Sequence, residues 1–323
     1  MHTPPISPRF SEKARAGVWG FIVGDALGVP FEFKTREDMY KSPATGMTGG
    51  GMHDQPPGTW SDDTSMMLCV MENGHDGGGT YGLADLFLRW AYEGYQTPHG
   101  EVFDIGVTTR IALEKYKKDK KISGLNDERS AGNGSLMRCL PYAFREAYAE
   151  GMFYMVSENR ITHRNWLCQH CCIFYTRMVR ALAEGDSKEL SLKKAGGYLR
   201  HGWRISDQHD DAMKEASRFN RLFDESFPAL PEKEIRSGGY VIESLETSVW
   251  SFMNGTDYRS TVLKAVNLGE DTDTNAALAG GLAAIHYGMR DIPSEWLETI
   301  VGRKELEGKI DTWIGLNGEE RGG

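Results

Sequence analysis

With 323 residues and 40% hydrophobic side chains, the chain is long enough for one large core or two smaller ones. Its 37 Lys and Arg against 46 Asp and Glu give a formal charge of −9, which argues against nucleic acid as the main partner. No run reaches the roughly eighteen apolar residues of a membrane-spanning helix, so no membrane partner is expected.

In chain order, residues 1–10 are Pro-rich, lack the basic start and apolar core of a signal peptide, and read as a flexible arm. Residues 11–27 read as a helix with small side chains at Ala16, Gly20, Gly24 and Gly28. That spacing lets a second backbone come close and predicts a tightly packed central helix. Glu32 follows in a short loop between Phe31 and Phe33. A loop glutamate is ordinarily exposed, whereas flanking aromatics would raise its pKa and suit it to acid–base work. Thr59-Trp60-Ser61-Asp62-Asp63-Thr64 then opens a buried-helix candidate over residues 65–71. Further helices fit 83–92 and 102–118, and the basic run 115–121 reads as solvated.

Gly132-Asn133-Gly134-Ser135 is a Gly-rich loop entering an apolar stretch. Freed backbone N–H groups could cradle a phosphate there, and a following helix start would add its dipole; Asn-Gly is also an ordinary turn. Thr162-His163 precedes a helix over 166–184 that carries Cys168-Gln169-His170-Cys171-Cys172. No second Cys or His pair follows at zinc spacing, so these thiols read as buried small hydrophobes. The odd count of 5 cysteines fits a reducing cytoplasm. Residues 186–236, with a helix over 190–201 and Asp207, Asp210 and Asp211, read as a peripheral helical excursion. Helices over 241–253 and 258–267 lead to Asp271-Thr272-Asp273-Thr274 and then to 276–285, an uncharged Ala/Gly run that belongs inside the protein. Strand–helix alternation is missing, so the expected fold class is all-α, one compact multi-helix domain over 11–318.

The two acidic clusters are alike: each offers two carboxylates and neighbouring hydroxyls within one turn of a helix start. Either cluster alone is accounted for by N-capping. Two clusters of paired like charges point to a cation partner, and oxygen-only donors suit hard divalent ions. If the fold brings them together, they form a dinuclear site.

Taken in order, Gly20-Phe21-Ile22-Val23-Gly24-Asp25-Ala26-Leu27-Gly28, Phe31-Glu32-Phe33, Ser61-Asp62-Asp63-Thr64, Gly132-Asn133-Gly134-Ser135-Leu136-Met137-Arg138, Thr162-His163, Gly238-Gly239-Tyr240-Val241 and Asp271-Thr272-Asp273-Thr274-Asn275-Ala276 resemble the ADP-ribosylglycohydrolase family across nearly the whole chain. The chain departs at Ser61, where the family has Thr, and at Glu270, where it has Gly. Ser61 keeps a hydroxyl. Glu270 puts a carboxylate beside the second cluster and raises a question about the local backbone.

The resemblance implies a metal-dependent hydrolase that removes ADP-ribose from modified protein side chains, arginine first among them. It implies two divalent cations, Mg²⁺ or Mn²⁺, on Ser61, Asp62, Asp63, Asp271, Asp273 and Thr274. Glu32, Asp62 and Asp271 become the catalytic candidates, with Glu32 a mobile acid–base or gating residue. Gly132, Asn133, Gly134 and Ser135 would hold the diphosphate of ADP-ribose. His163 could orient a ligand or a carboxylate, or be structural. Tyr240 could stack on adenine or be a core tyrosine, and Arg138 could contact phosphate or form an ion pair. The implied partners are ADP-ribose and an ADP-ribosylated protein. Two alternatives are a non-catalytic ADP-ribose-binding protein and an immunity protein that blocks an ADP-ribosylating toxin by contact.

Overall fold

The computed structural model describes Ile6, residues 8–204 and residues 216–315. Fourteen α-helices, short 3-10 turns and isolated bridges make up this part, with no strand among the described residues, as expected for an all-α protein. None of the helices is long and apolar enough to cross a membrane.

Two helices form the centre. Ser11–Gly28 is buried along nearly all its length, and Thr272–Tyr287 is buried through Ile285. Neither keeps a polar face, so each has to be enclosed on all sides. Glycine lets them touch: a Cβ on Gly20 would lie 2.3 Å from Cβ of Ala284, and one on Gly24 would lie 2.2 Å from the Ala276 carbonyl oxygen. A Cβ on Gly28 would lie 2.4 Å from Cα of Asp273. The partner's number falls as the first helix advances, so the two run antiparallel. The end of the first helix, with the Glu32 loop behind it, therefore sits against the start of the second, which carries Asp271–Thr274. Thr272 Oγ1 donates to the Gly28 carbonyl at 2.8 Å and ties these two ends together.

The Asp62–Asp76 helix begins at the first acidic pair and is buried from Asp62 through Met71. The helix read over 102–118 instead spans Val107–Asp119. Gly106 ahead of it is extended, with ψ 143°, and residues 102–106 form a non-helical lead-in. Tyr148–Asn159 and Arg303–Trp313 form helices that the sequence reading passed over. Gly151 weakens the pattern of the first, yet it packs so closely that a Cβ there would lie 2.5 Å from the Tyr142 carbonyl oxygen.

In the segment read as an arm, Ile6 bridges to Arg145 and Phe10 is 2% exposed, so both are docked. In the 186–236 excursion, Lys188–Arg204 and Asn220–Phe223 are helical, while Asp207, Asp210 and Asp211 lie outside the described residues. Cys168, Cys171 and Cys172 are buried free thiols on the Trp166–Ala183 helix.

Candidate active site

Asp25 is fully buried on the first central helix and reaches the start of the Asp62–Asp76 helix. Its carboxylate accepts from the Ser61 N–H at 3.0 and 3.1 Å, the Thr64 N–H at 3.1 Å and Thr64 Oγ1 at 2.5 Å. The unpaired donors of a helix start are thus held by a core carboxylate, which fixes the first acidic cluster to the central helix. Ser61 adds a conventional cap, its Oγ accepting from the Asp63 N–H at 3.3 Å. Burial raises the Asp25 pKa to about 6, with the Thr64 and Ser61 hydrogen bonds holding it down.

The second cluster meets the first. Thr274 Oγ1 lies 3.2 and 3.1 Å from the two carboxylate oxygens of Asp63. Asp271 precedes its helix but makes no side-chain cap; its Oδ2 accepts from Asn133 Nδ2 at 2.7 Å. Asp62, Asp104 and Asp273 can each bring one oxygen within 4.8 Å of the others, and so can Asp25, Asp63 and Asp273. Asp273 belongs to both groups, the arrangement expected of a carboxylate shared between two ions.

Burial is the first cause that pushes Asp62, Asp63 and Asp273 well above the usual carboxylate range, and neighbouring carboxylates add to it. Asp271 is also raised, chiefly by burial. Like charges packed this closely repel unless a cation or protons intervene. Asp273 Oδ1 is buried with no hydrogen-bond partner among the described residues. An oxygen-only donor set with an orphaned carboxylate oxygen fits a hard divalent cation.

Above the carboxylates lies a cavity of about 340 Å³. Its lining includes the acidic groups Glu32, Asp62, Asp104, Asp271 and Asp273 with Thr274, and the stretch Gly132–Gly134 with His163 and Gly239. Glu32 is 8% exposed, and its Oε2 lies 2.6 Å from His53 Nε2. Burial raises the Glu32 pKa to about 7, against the His53 hydrogen bond and with help from Asp104 and Asp271. The same pairing with Glu32 raises His53.

Several residues singled out in the sequence lie elsewhere. Ser61 and Asp63 sit beneath the cavity and do not line it. Ser135 is fully buried, its Oγ accepting from Cys172 Sγ at 3.5 Å. No α-helix follows the Gly-rich loop; turns lead to a 3-10 segment, Leu140–Phe144, so no helix dipole acts there. Tyr240 is not a lining residue: it follows Gly239, bridges to Gly132, and its hydroxyl accepts from Arg218 Nη1 at 2.8 Å. Arg138 is fully buried and does not line the cavity, so no phosphate contact is open to it. Glu270 has an exposed side chain that is not among the lining residues. Its backbone is left-handed, φ 63°, the conformation that favours the Gly seen in the resembling family. The Glu270 carbonyl accepts from the Phe33 N–H and its N–H donates to the Lys34 carbonyl, each at 2.7 Å, so it braces the Glu32 loop through its backbone.

Three residues here were missed in the sequence. Asp25 stands inside a quoted motif but reads as an interruption of an apolar helix. Asp104 is hidden by assigning 102–106 to a helix. His53 lies in a Gly-rich loop with no spacing signal.

The ADP-ribosylglycohydrolase family model matches residues 6–321. An ADP-ribosylarginine hydrolase, Tri1, of Pseudomonas putida is 31% identical over 303 residues, 92% of this chain and 76% of the relative. The ADP-ribosyl-dinitrogen reductase glycohydrolase of Rhodospirillum rubrum is 30% identical over 317 residues, 96% of this chain and 98% of the relative. A solved ADP-ribosylglycohydrolase-related protein complex superposes with a TM-score of 0.77 at 30% identity, covering 95% of this chain and 99% of that one. The chain belongs to the ADP-ribosylglycohydrolase family of hydrolytic enzymes.

Proposed function

We propose that this enzyme releases ADP-ribose from ADP-ribosylated arginine side chains of proteins and so reverses the modification. Two divalent cations, Mg²⁺ or Mn²⁺, would be held by Asp62, Asp63, Asp271, Asp273 and Thr274, with Asp104 added to the set read from sequence. Ser61 and Asp25 then act one layer below, fixing the helix start that presents Asp62 and Asp63. The observation that carries the reading is Asp273, whose carboxylate can stand within 4.8 Å of Asp62 and Asp104 in one grouping and of Asp63 in another, and which keeps one oxygen without a partner among the described residues.

Bound cations would supply Lewis-acid and template action on the ribose hydroxyls. The chain's own residues supply the rest. Asn133, Gly134 and His163 form the wall against which the diphosphate would lie. An ADP-ribosylated guanidinium is already cationic, so the arginine leaves as a neutral guanidine and needs no prior protonation. The remaining demands are those of an anomeric carbon with oxocarbenium character. As the C–N bond breaks, its electron pair goes to the guanidine and water adds to the anomeric carbon. Glu32 takes the proton from that water and passes it to the departing guanidine. His53 holds the Glu32 carboxyl in place.

The carboxylates are all present, which counts against the non-catalytic alternative, and the toxin-blocking alternative draws no support from this site. Buried free thiols fit a reducing, cytoplasmic setting. The test of linkage is ADP-ribose release from matched peptides that differ only in the acceptor residue. Faster release from arginine is expected; equal or faster release from serine would overturn the assignment.

A further inference from the structure

We infer that Arg138, buried behind the cavity, acts through the Thr162 hydroxyl to lock His163 as a neutral imidazole with its proton on Nε2, facing the ligand wall. This deepens the ADP-ribose reading of the cavity and rests on it for the identity of the ligand, though not for the state of the ring.

The argument is one of donors and acceptors. Arg138 Nη2 donates to Thr162 Oγ1 at 2.9 Å, and Thr162 Oγ1 lies 2.8 Å from His163 Nδ1. A guanidinium has only donors, so the threonine proton cannot point back to it. Among the described residues the only other partner of Thr162 Oγ1 is His163 Nδ1, and Thr162 is fully buried. If Nδ1 carried the proton, the threonine O–H would be left buried without an acceptor, at a cost of roughly 1–3 kcal/mol. The hydroxyl therefore donates to Nδ1, and Nε2 is the nitrogen that carries hydrogen.

Nε2 has no hydrogen-bond partner among the described residues, and His163 lines the cavity. A Cβ on Gly134 would lie 2.7 Å from His163 Cε1 and 3.3 Å from Nε2, so the ring edge packs directly on the Gly-rich loop. Arg138 Nη1 also donates to the Gly134 carbonyl at 3.1 Å. One guanidinium thus holds the loop and sets the neighbouring ring, a double reach that a lysine ammonium does not reproduce in this planar geometry. Burial and the Arg138 charge both oppose protonation of His163 and lower its pKa to about 3. An N–H donor aimed beside Gly134 suits an anionic oxygen, as in a diphosphate. Arg138 and Thr162 are positioning residues.

The test uses full-length protein labelled with ¹⁵N-histidine, with the His163 signal assigned by its loss in His163→Gln. Near neutral pH the wild-type ring should show a single state, protonated on Nε2 and bare on Nδ1. A proton on Nδ1, or on both nitrogens, overturns the inference. In parallel, ADP-ribose affinity is measured by calorimetry on Thr162→Val and Thr162→Ser. We expect about tenfold weaker binding for valine, about 1.4 kcal/mol, and recovery to near wild type for serine. Unchanged binding in a folded Thr162→Val overturns the positioning role. If Thr162→Val fails to fold, the wild-type ring state still decides. Wild-type protein that shows the Nε2–H ring but no affinity for ADP-ribose would contradict the proposed ligand and leave the relay standing.

Discussion

Thr274 Oγ1 donates to both carboxylate oxygens of Asp63, at 3.2 and 3.1 Å, across 211 residues of chain. The contact joins two helix starts that carry the acidic clusters. It exists because three glycines on the first central helix let the second approach to backbone contact.

Gly24→Ala should therefore disturb the site as well as the core. The new Cβ would meet the Ala276 carbonyl oxygen at 2.2 Å, and backbone cannot rotate aside as a side chain can. Overpacking of this kind costs about 1–3 kcal/mol or more. Thermal unfolding should show a clear drop in Tm, and metal affinity should fall with it. A fully stable Gly24→Ala variant would contradict the packing account.

Asp273→Asn should remove charge from both carboxylate groups at once. Calorimetric titration with Mn²⁺ should lose most of its binding, while helical content stays near wild type. Asp104→Asn, which belongs to only one of the two carboxylate groups that share Asp273, should weaken binding less.

Metal-free protein should be more stable in mild acid than at neutral pH. The sign follows from the raised carboxyl groups: Asp25 at about 6, Glu32 at about 7, and Asp62, Asp63 and Asp273 well above their ordinary values. Between the unfolded and folded pKa values the native state binds more protons, so stability falls as pH rises through that window. Tm measured with chelator should thus decline from about pH 5 to about pH 7. Saturating Mg²⁺ or Mn²⁺ should flatten the decline by mass action. A chelated protein whose Tm rises over that interval would contradict this sign.

Glu270→Gly should leave the preference for arginine intact and raise stability slightly. The side chain is exposed and outside the cavity lining, while its backbone is left-handed at φ 63°. A non-glycine residue pays roughly 1–2 kcal/mol in that conformation, and the added backbone freedom of glycine offsets part of the gain. Loss of the arginine preference in this variant would contradict a purely backbone role for Glu270.

Much of this was legible in the sequence. The Gly stripe and the uncharged 276–285 run announced two helices that pack at short range, and the structure pairs them antiparallel. Asp62, Asp271 and Asp273 were readable because paired carboxylates at helix starts repeat a pattern. Asp25 was not, because a lone carboxylate in an apolar helix looks like a blemish until its partners, the Ser61 and Thr64 N–H groups, are in view. Asp104 was masked by a helical period that begins only at Val107. His53 reaches Glu32 through a loop whose path no local spacing encodes. Ser135 matched a motif, but the turn that displays Asn133 and Gly134 buries it.

Glu32→Gln tests the acid–base role apart from binding. It should lower kcat by about a hundredfold or more, within the usual range for a lost general base, and leave ADP-ribose affinity near wild type. Equal losses in both would make Glu32 a binding residue.

The most direct measurement of the central claim is single-turnover release of ADP-ribose from an arginine-linked peptide, before chelation, after chelation and after Mg²⁺ or Mn²⁺ is restored. The account predicts release in the first state, near-complete loss in the second with helical content unchanged, and recovery in the third. Full-rate release by the chelated enzyme would contradict the assignment of Asp62, Asp63, Asp271 and Asp273 to a catalytic metal centre.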